Sequence, residues 1–375
     1  MHRWRIAMWV VVVFLCLGSA LYVFTGFQSG RPKWLWRLFF PLEIGILSAE
    51  IAACIGGGVG WCIKKCRKRH HSDPAATKIA TYAGLTASLL CIIVAIMAYH
   101  IGNKRIEVKE YAFYSKDLPS AFDGMRIVHF SDLHLGTYGT DTARVSQLLS
   151  KVMAQKGDII VFTGDLVNFE SKEARPFVEQ LSKLNAPYGV YSIMGNHDYA
   201  IYRMYDTKEE QVADINRLAQ IEKQAGWTLL RNENTLIHKD GQTIAIVGME
   251  NDGKPPFPHL ADLPKALRGL NDPALGQPLF KIVLTHDPTH WRRAILKDTD
   301  AQLTLAGHTH GLQFKIGNWS PASLIYKEWG GQYFEGTRSI VVSVGLGLGT
   351  VPFRFGAWSE VCVITLHKGE PRKEI

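Results

Sequence analysis

The stretch Leu303 to Gly311, "LTLAGHTHG", places two histidines one residue apart, directly after an apolar run and between two glycines. A short apolar run bounded in this way is typical of a buried strand. The spacing alone leaves open whether His308 and His310 bind one metal ion, bind two, or only end a strand. The answer depends on how the other strands of the chain end.

Four earlier runs resemble this one. They are "MRIVHF" (125–130), "DIIVFTG" (158–164), "GVYSIMG" (189–195) and "KIVLTH" (281–286), all short and apolar. Segments of helical composition occupy 140–155, 171–184, 207–224 and 289–297. This alternation is typical of an α/β fold.

The remaining segments after residue 107 are predicted to form strands. Segment 228–250 contains β-rich runs joined at Asp240-Gly241, a dipeptide that favours a hairpin turn. Two further β runs lie at 339–345 and 360–366. We therefore predict a two-sheet αββα sandwich rather than a single doubly wound sheet.

Each of the five apolar runs ends in polar residues that can bind a metal ion. In chain order the candidates are Asp132 and His134, then Asp165, then Asn196 and His197, then His286, then His308 and His310. A lone histidine after a strand is usually a hydrogen-bonded loop residue, and we interpret His129, His238, His259 and His290 in that way. Five successive strand ends with such side chains instead predict one shared site, because ligands collect at the carboxyl ends of strands in α/β folds.

The types of side chain indicate which ions the site would bind. Mixed carboxylate, imidazole and amide ligands suit divalent Mn, Fe or Zn. Seven candidate ligands are too many for one ion that keeps an open position, and they suit two. Two metal ions roughly 3.5–4 Å apart are the usual arrangement for phosphoester hydrolysis.

The ordered motifs "SDLHLG", "GDLVN", "GNHD", "LTHDP" and "LAGHTHG" resemble those of the calcineurin-like metallophosphoesterase superfamily, and more narrowly of its membrane-associated bacterial phosphodiesterase branch. The similarity covers about residues 107–367. The resemblance implies that Asp132, His134 and His310 hold the first ion, that Asn196, His286 and His308 hold the second, and that Asp165 bridges them. It also implies that His197 is catalytic, protonating the leaving oxygen or stabilising the phosphate charge.

One position departs from the family pattern. Many relatives have a second aspartate three residues after the bridging one, where this chain has Asn168. An amide would support a charged His197 less well than a carboxylate. Asp198 either compensates for this loss or only fixes a loop.

The first hundred residues have a different composition. Apolar runs at about 6–27, 38–63 and 79–101 approach or exceed the roughly 20 residues that a membrane-spanning helix needs. We predict a membrane domain at 1–106 with three transmembrane helices and a catalytic domain at 107–375. The basic cluster from Lys64 to Arg69 would stay in the cytoplasm, so the prediction is a multi-pass protein of the cell membrane with an extracytoplasmic catalytic domain.

Charge and cysteines exclude other classes of protein. The formal net charge of +8 partly reflects basic residues beside the apolar runs, and no nucleic-acid partner is expected. Five of six cysteines lie before residue 107, which leaves Cys362 alone in the soluble part. No disulfide framework can therefore stabilise that part.

These patterns predict a membrane-anchored phosphohydrolase that cleaves a phosphodiester, phosphomonoester or pyrophosphate with a hydroxide activated by two metals. A lipid-linked substrate is one option, which favours a bilayer as partner. The first alternative is an enzyme of lipid A synthesis like UDP-2,3-diacylglucosamine pyrophosphatase. The second is a metal-binding membrane sensor or scaffold that has lost its activity.

Overall fold

The computed structural model describes residues 96–270, 278–349 and 353–370, together with positions 78, 82, 86, 89–91, 93, 94, 272 and 275. The chain divides into two compact units, Met1–Ile101 and Gly102–Ile375. All the candidate site residues belong to the second unit, and the fold described below is that of this unit. The domain limits 1–106 and 107–375 stay a prediction.

Within the described residues, no helix combines the length and the apolar character that crossing a membrane requires. A spanning helix needs about 20 consecutive residues, whereas the third predicted span ends in a π-helix at Ala98–Gly102. This finding overturns two predictions: the three transmembrane helices of the fold class, and the multi-pass membrane localisation with an extracytoplasmic catalytic domain. The predicted spans 6–27 and 38–63 lie outside the described residues, as does part of 79–101.

The described strands form two six-stranded sheets. They are β1 (Ile106–Ser115), β2 (Arg126–Phe130), β3 (Ile159–Phe162), β4 (Val190–Ser192), β5 (Thr228–Leu229), β6 (Glu233–Lys239), β7 (Gln242–Gly248), β8 (Phe280–Leu284), β9 (Leu303–Ala306), β10 (Gly331–Glu335), β11 (Arg338–Val342) and β12 (Ser359–Lys368). The first sheet has the order β1-β12-β2-β3-β4-β5 and the second β10-β11-β9-β8-β7-β6. The predicted two-sheet α/β sandwich is thus confirmed.

The described α-helices are fewer than the strands and mostly short. The α-helices are α1 (Thr142–Met153), α2 (Val178–Leu181), α3 (Lys208–Gln224), α4 (Leu263–Ala266) and α5 (Leu296–Asp298). Turns of 3₁₀-helix occupy Ser120–Phe122, Leu135–Thr137, Ser171–Glu173, Arg175–Phe177, Asn196–Tyr199, His310–Gln313 and Pro321–Leu324, and a π-helix occupies Trp291–Ile295. Helix α1 begins where the Asp141 carboxylate accepts a hydrogen bond from the Arg144 amide, as a capping residue does.

Three hydrophobic clusters fill the spaces between the layers. The central cluster lies between the sheets and includes Ile127 of β2 and Ile282 of β8. The next residues along these strands, Val128 and Val283, point the other way, into the two outer clusters that the helices cover. Because these strands are buried on both faces, they appear in the sequence as unbroken apolar runs.

Strand direction places the candidate residues at one edge. Strands β2, β3 and β4 run parallel to each other in the first sheet, and β8 and β9 run parallel in the second. The predicted hairpin joins β6 to β7, with Asp240 and Gly241 both at positive φ (49° and 73°). Such a two-residue turn matches the twist of an antiparallel pair.

A buried acid on α3 gives a prediction about stability. Glu222 is fully buried, its Oε2 accepts a hydrogen bond of 2.5 Å from Ser192, and its Oε1 has no partner among the described residues. Burial raises the pKa of Glu222 to about 8 from the usual 4.5. A carboxyl group whose pKa is raised by folding binds more protons in the folded state, so stability falls as the pH rises from 4.5 to 8.

We therefore expect Glu222→Gln to be more stable than the wild type at pH 9, by about 5 kcal/mol at most, and nearly equal to it at pH 4.5. Urea unfolding of the metal-free chain at both pH values measures this difference. A gain of the same size at both pH values would show that ionisation of Glu222 is not the cause.

Candidate dinuclear metal centre

The eight candidate residues, predicted from five strand ends, come together at one edge of the sandwich. Backbone hydrogen bonds join the segments: the Asp132 amide donates to the Gly164 carbonyl at 2.9 Å, and the Gly307 amide donates to the His286 carbonyl at 3.0 Å. The first bond links the ends of β2 and β3, and the second those of β8 and β9. The side chains beyond these strands therefore face one common space.

The first group of donor atoms comes from Asp132, His134 and His310. The Nε2 atoms of His134 and His310 lie 3.0 Å apart, and His310 Nε2 lies 3.3 Å from Asp132 Oδ1. One ligand atom from each residue lies within 4.8 Å of the others, which is compact enough to hold a metal ion.

The second group comes from Asn196, His286 and His308. The Oδ1 atom of Asn196 lies 2.8 Å from His308 Nδ1 and 3.1 Å from His286 Nε2. The two histidine nitrogens are 3.3 Å apart.

Asp165 lies between the two groups. Its Oδ2 is 3.7 Å from His134 Nε2 and 3.2 Å from His286 Nε2. Its Oδ1 accepts a hydrogen bond of 2.8 Å from the His197 amide. Although burial disfavours the charged form, the imidazoles of His286 and His197 hold the pKa of Asp165 well below its usual value. One ionised carboxylate thus reaches donor atoms of both groups.

The chemistry of the donor set fits divalent cations. The nitrogens and oxygens point at one another at short range, so lone pairs are crowded into a buried space. The Nδ1 of His286 lies 2.7 Å from the Thr163 carbonyl, which accepts its proton and directs Nε2 toward the other donor atoms. Burial lowers the pKa of His308 to about 4, so this imidazole is neutral, as a ligand must be.

Backbone conformation distinguishes this site from ordinary strand ends. Left-handed φ values occur at Asp132 (55°), His134 (48°), Asp165 (61°), His308 (76°) and His310 (51°). Non-glycine residues rarely adopt this conformation, and it costs free energy. Five of the seven predicted ligands share it, so the loops hold these side chains in positions that relaxed turns would not provide.

His197 is oriented by a main-chain atom. Its Nδ1 lies 2.7 Å from the carbonyl oxygen of Asn168, which accepts the Nδ1 proton. The side chain of Asn168 instead donates to Thr137 Oγ1 at 3.3 Å. The main-chain carbonyl of Asn168 thus orients His197, while the weaker support that an amide would give to a charged His197 stays a prediction.

Asp198 fixes the loops around the site. Its carboxylate oxygens accept backbone hydrogen bonds from Asp165 (2.7 Å), Leu166 (2.8 Å), Val167 (3.2 Å) and Gly195 (2.9 Å). These amides belong to the turns after β3 and β4. Of the two roles considered for Asp198, the structure supports that of fixing a loop.

Sequence reasoning missed two tyrosines that contact the second group. The Asn196 amide nitrogen donates to the Tyr202 hydroxyl at 2.8 Å, and the Tyr326 hydroxyl lies 3.0 Å from His308 Nε2. Tyr326 belongs to the aromatic segment "YKEWGGQYF" (326–334), whose composition is only a weak indication of a substrate-facing surface. Tyr202 follows the "GNHD" motif in an irregular loop, where no sequence pattern marks it.

Comparison with known proteins shows which proteins this chain is similar to. The family model described as calcineurin-like phosphoesterase matches residues 125–312. The uncharacterized metallophosphoesterase YkuE of Bacillus subtilis is 34% identical over 281 residues, covering 72% of this chain and 88% of that protein. A transmembrane protein with metallophosphoesterase domain from Danio rerio is 27% identical, covering 97% of this chain and 80% of that protein. The UDP-2,3-diacylglucosamine pyrophosphatase LpxG of Chlamydia trachomatis is 27% identical, covering 75% of this chain and 97% of that protein.

Gly307 gives a prediction about the donor atoms. A Cβ at this position would lie 2.0 Å from Ser131 Oγ and 2.5 Å from Asp132 Oδ2. We expect Gly307→Ala to displace Asp132 and to lower metal affinity by about tenfold to a hundredfold, the usual effect of disturbing a ligand's surroundings. Metal titration of the chelator-treated chain measures this affinity. The control Gly139→Ala strains a left-handed backbone position (φ 62°), but its methyl meets no atom within 4 Å, so it reports general destabilisation without displacement of a donor. Equal losses of metal affinity in both variants would refute the steric explanation.

Proposed function

The chain belongs to the calcineurin-like phosphoesterase family and is a phosphoric ester hydrolase; from this we propose that it works through two divalent ions held at the strand ends. The observation that carries the proposal is Asp165, whose single Oδ2 atom approaches histidines of both donor groups. The alternative of an inactive sensor or scaffold loses its support, because all the donors predicted from the sequence meet at the site.

The proposed ligand sets follow the two donor groups. Asp132, His134 and His310 would hold one ion; Asn196, His286 and His308 would hold the other; Asp165 would bridge them. Manganese, iron and zinc are the candidates, because imidazole nitrogens are mixed with carboxylate and amide oxygens. When bound, such ions acidify water and neutralise the charge of a phosphate.

His197 is proposed as the general acid. Because the Asn168 carbonyl accepts the Nδ1 proton, Nε2 is the ring atom available to a substrate. The ring is only partly buried and packs edge-on against His134, with the ring centroids 4.8 Å apart. From this position Nε2 would deliver a proton to the leaving oxygen as the phosphorus–oxygen bond breaks.

For the substrate we propose a lipid-linked phosphoester or pyrophosphate. Exposed apolar side chains lie two residues along the chain from each tyrosine: Met204, near Tyr202, is 76% exposed, and Leu324, near Tyr326, is 80% exposed. Exposed apolar groups next to a polar site are typical of a surface that binds an amphipathic ligand. The LpxG relative, named as acting on a diacylated sugar nucleotide, supports the same class of substrate.

The first experiment tests the bridging carboxylate. We expect Asp165→Asn to lower the Mn-dependent hydrolysis of bis-p-nitrophenyl phosphate by about a thousandfold or more, because an amide cannot supply the charge that both ions need. The full-length chain is treated with a chelator, reloaded with Mn and assayed. The matched control is Asp206→Asn, an exposed aspartate away from the donor groups, which should keep the wild-type rate. Wild-type activity in Asp165→Asn would overturn the proposed function.

The second experiment separates acid catalysis from metal binding. We expect His197→Ala to keep the metal content of the wild type and to lose about a hundredfold or more in rate. The loss should be larger for phenyl phosphate esters than for p-nitrophenyl esters, since a poorer leaving group depends more on protonation. Loss of metal from His197→Ala would identify this residue as a ligand instead, because its ring nitrogen lies in a compact group with a carboxylate oxygen of Asp165 and a ring nitrogen of His134.

The third experiment tests the substrate class. We expect Leu324→Ser to raise KM about tenfold for a phosphoester with long acyl chains, through loss of apolar contact, and to leave hydrolysis of bis-p-nitrophenyl phosphate unchanged. The control is Phe334→Ser, which removes an apolar side chain that is 57% exposed on strand β10. An unchanged KM for the acylated substrate in Leu324→Ser would contradict the proposal that a lipid-linked substrate contacts Leu324.

A further inference from the structure

Tyr202 contacts two residues of the candidate site. Its hydroxyl oxygen lies 2.8 Å from the Asn196 amide nitrogen. Its ring lies against the His197 ring, with the centroids 4.3 Å apart and the planes inclined by 36°. The tyrosine therefore stands between a proposed metal ligand and the proposed general acid.

The direction of the hydrogen bond determines where the tyrosine proton points. Asn196 turns its Oδ1 toward His308 and His286, so its other terminal atom, facing Tyr202, is the nitrogen. An amide nitrogen can donate but cannot accept. The Tyr202 oxygen must accept this bond, and its own proton must point elsewhere.

No described residue accepts that proton. The only hydrogen bond that Tyr202 forms with described residues is the one from Asn196. The residue is 38% exposed, so a ligand in the site can reach it. A neutral phenol with a free proton beside a phosphate site is a ready hydrogen-bond donor to an oxyanion.

We propose that Tyr202 binds the substrate directly, donating its hydroxyl proton to a non-bridging oxygen of the phosphoryl group. This inference rests on the proposed phosphoesterase function and adds a substrate-binding residue to it. The hydrogen bond fixes the phosphoryl group beside His197, which packs against the same ring. The role differs from that of His197, because the proton is shared with the phosphate and is not transferred to the leaving group.

Tyr326 shows why Tyr202 is the better candidate. Its hydroxyl is 3.0 Å from His308 Nε2, but the carboxylate oxygen Oδ2 of Asp287 lies 3.8 Å from that same nitrogen. Asp287 thus places a negative charge on the Tyr326 side of His308, which disfavours a phosphate oxyanion there. Tyr202 has no such acceptor among the described residues.

The test compares Tyr202→Phe with Tyr205→Phe in the full-length, Mn-loaded chain. Tyr205 lies three residues further along the same loop, and its hydroxyl donates to Asp214 at 3.0 Å, away from the donor groups. For Tyr202→Phe we expect about a tenfold to hundredfold weaker binding of inorganic phosphate by calorimetry and a similar fall in kcat/KM, with metal content unchanged. The fall should be the same for p-nitrophenyl and phenyl esters. Tyr205→Phe should match the wild type.

Three results would overturn the inference. Wild-type phosphate affinity in Tyr202→Phe would show that the hydroxyl does not contact the phosphoryl group. A lower metal content would show that Tyr202 only positions Asn196. A fall in kcat/KM that grows with the basicity of the leaving group would show that Tyr202 donates its proton to the leaving oxygen and not to a non-bridging oxygen. If the wild type hydrolyses no phosphoester, the proposed function fails, whereas phosphate binding still tests Tyr202 by itself.

Discussion

The buried carboxylate of Asp165 is the point at which the two sheets must meet. It lies within 3.7 Å of a histidine that follows β2 and within 3.2 Å of one that follows β8. A buried charge is tolerated only where opposite charges or hydrogen-bond donors surround it. The His197 amide donates to this carboxylate, and Asp198 holds the Asp165 amide. The packing of the ends of β2 and β8 and the assembly of the site therefore depend on the same contacts around Asp165.

Much of the fold could be predicted because its central strands are buried on both faces, which leaves unbroken apolar runs in the sequence. The elements that were missed lack this signal. Strand β1 alternates polar and apolar residues at the edge of the first sheet, and β10 is partly exposed at the edge of the second. Segment 171–184 is not one helix but 3₁₀ turns followed by α2, because Pro176 lacks the amide hydrogen that a continuous helix needs.

The identities of the site residues could be predicted from ordered motifs, but their supporting contacts could not. Left-handed backbone at five donor residues depends on how loops from both sheets pack together, and local sequence does not encode that. Asn168 is an example of a supporting contact that the sequence does not indicate. Its side chain suggested a weakened His197, while its carbonyl, which every residue type possesses, supplies the hydrogen bond.

The residues proposed to bind the metal ions and those proposed to select the substrate lie in different parts of the fold. Donor atoms sit at strand ends, where a shift would disturb the buried Asp165 and the packing of both sheets. Tyr202, Met204 and Tyr326 lie instead on loops, and Leu324 ends a short 3₁₀ turn; such connecting segments change without disturbing the layers beneath them. The side chains named on these segments are aromatic or apolar, so the proposed preference for an amphipathic substrate would depend on these segments, and the proposed cleavage of its phosphoester on the strand ends.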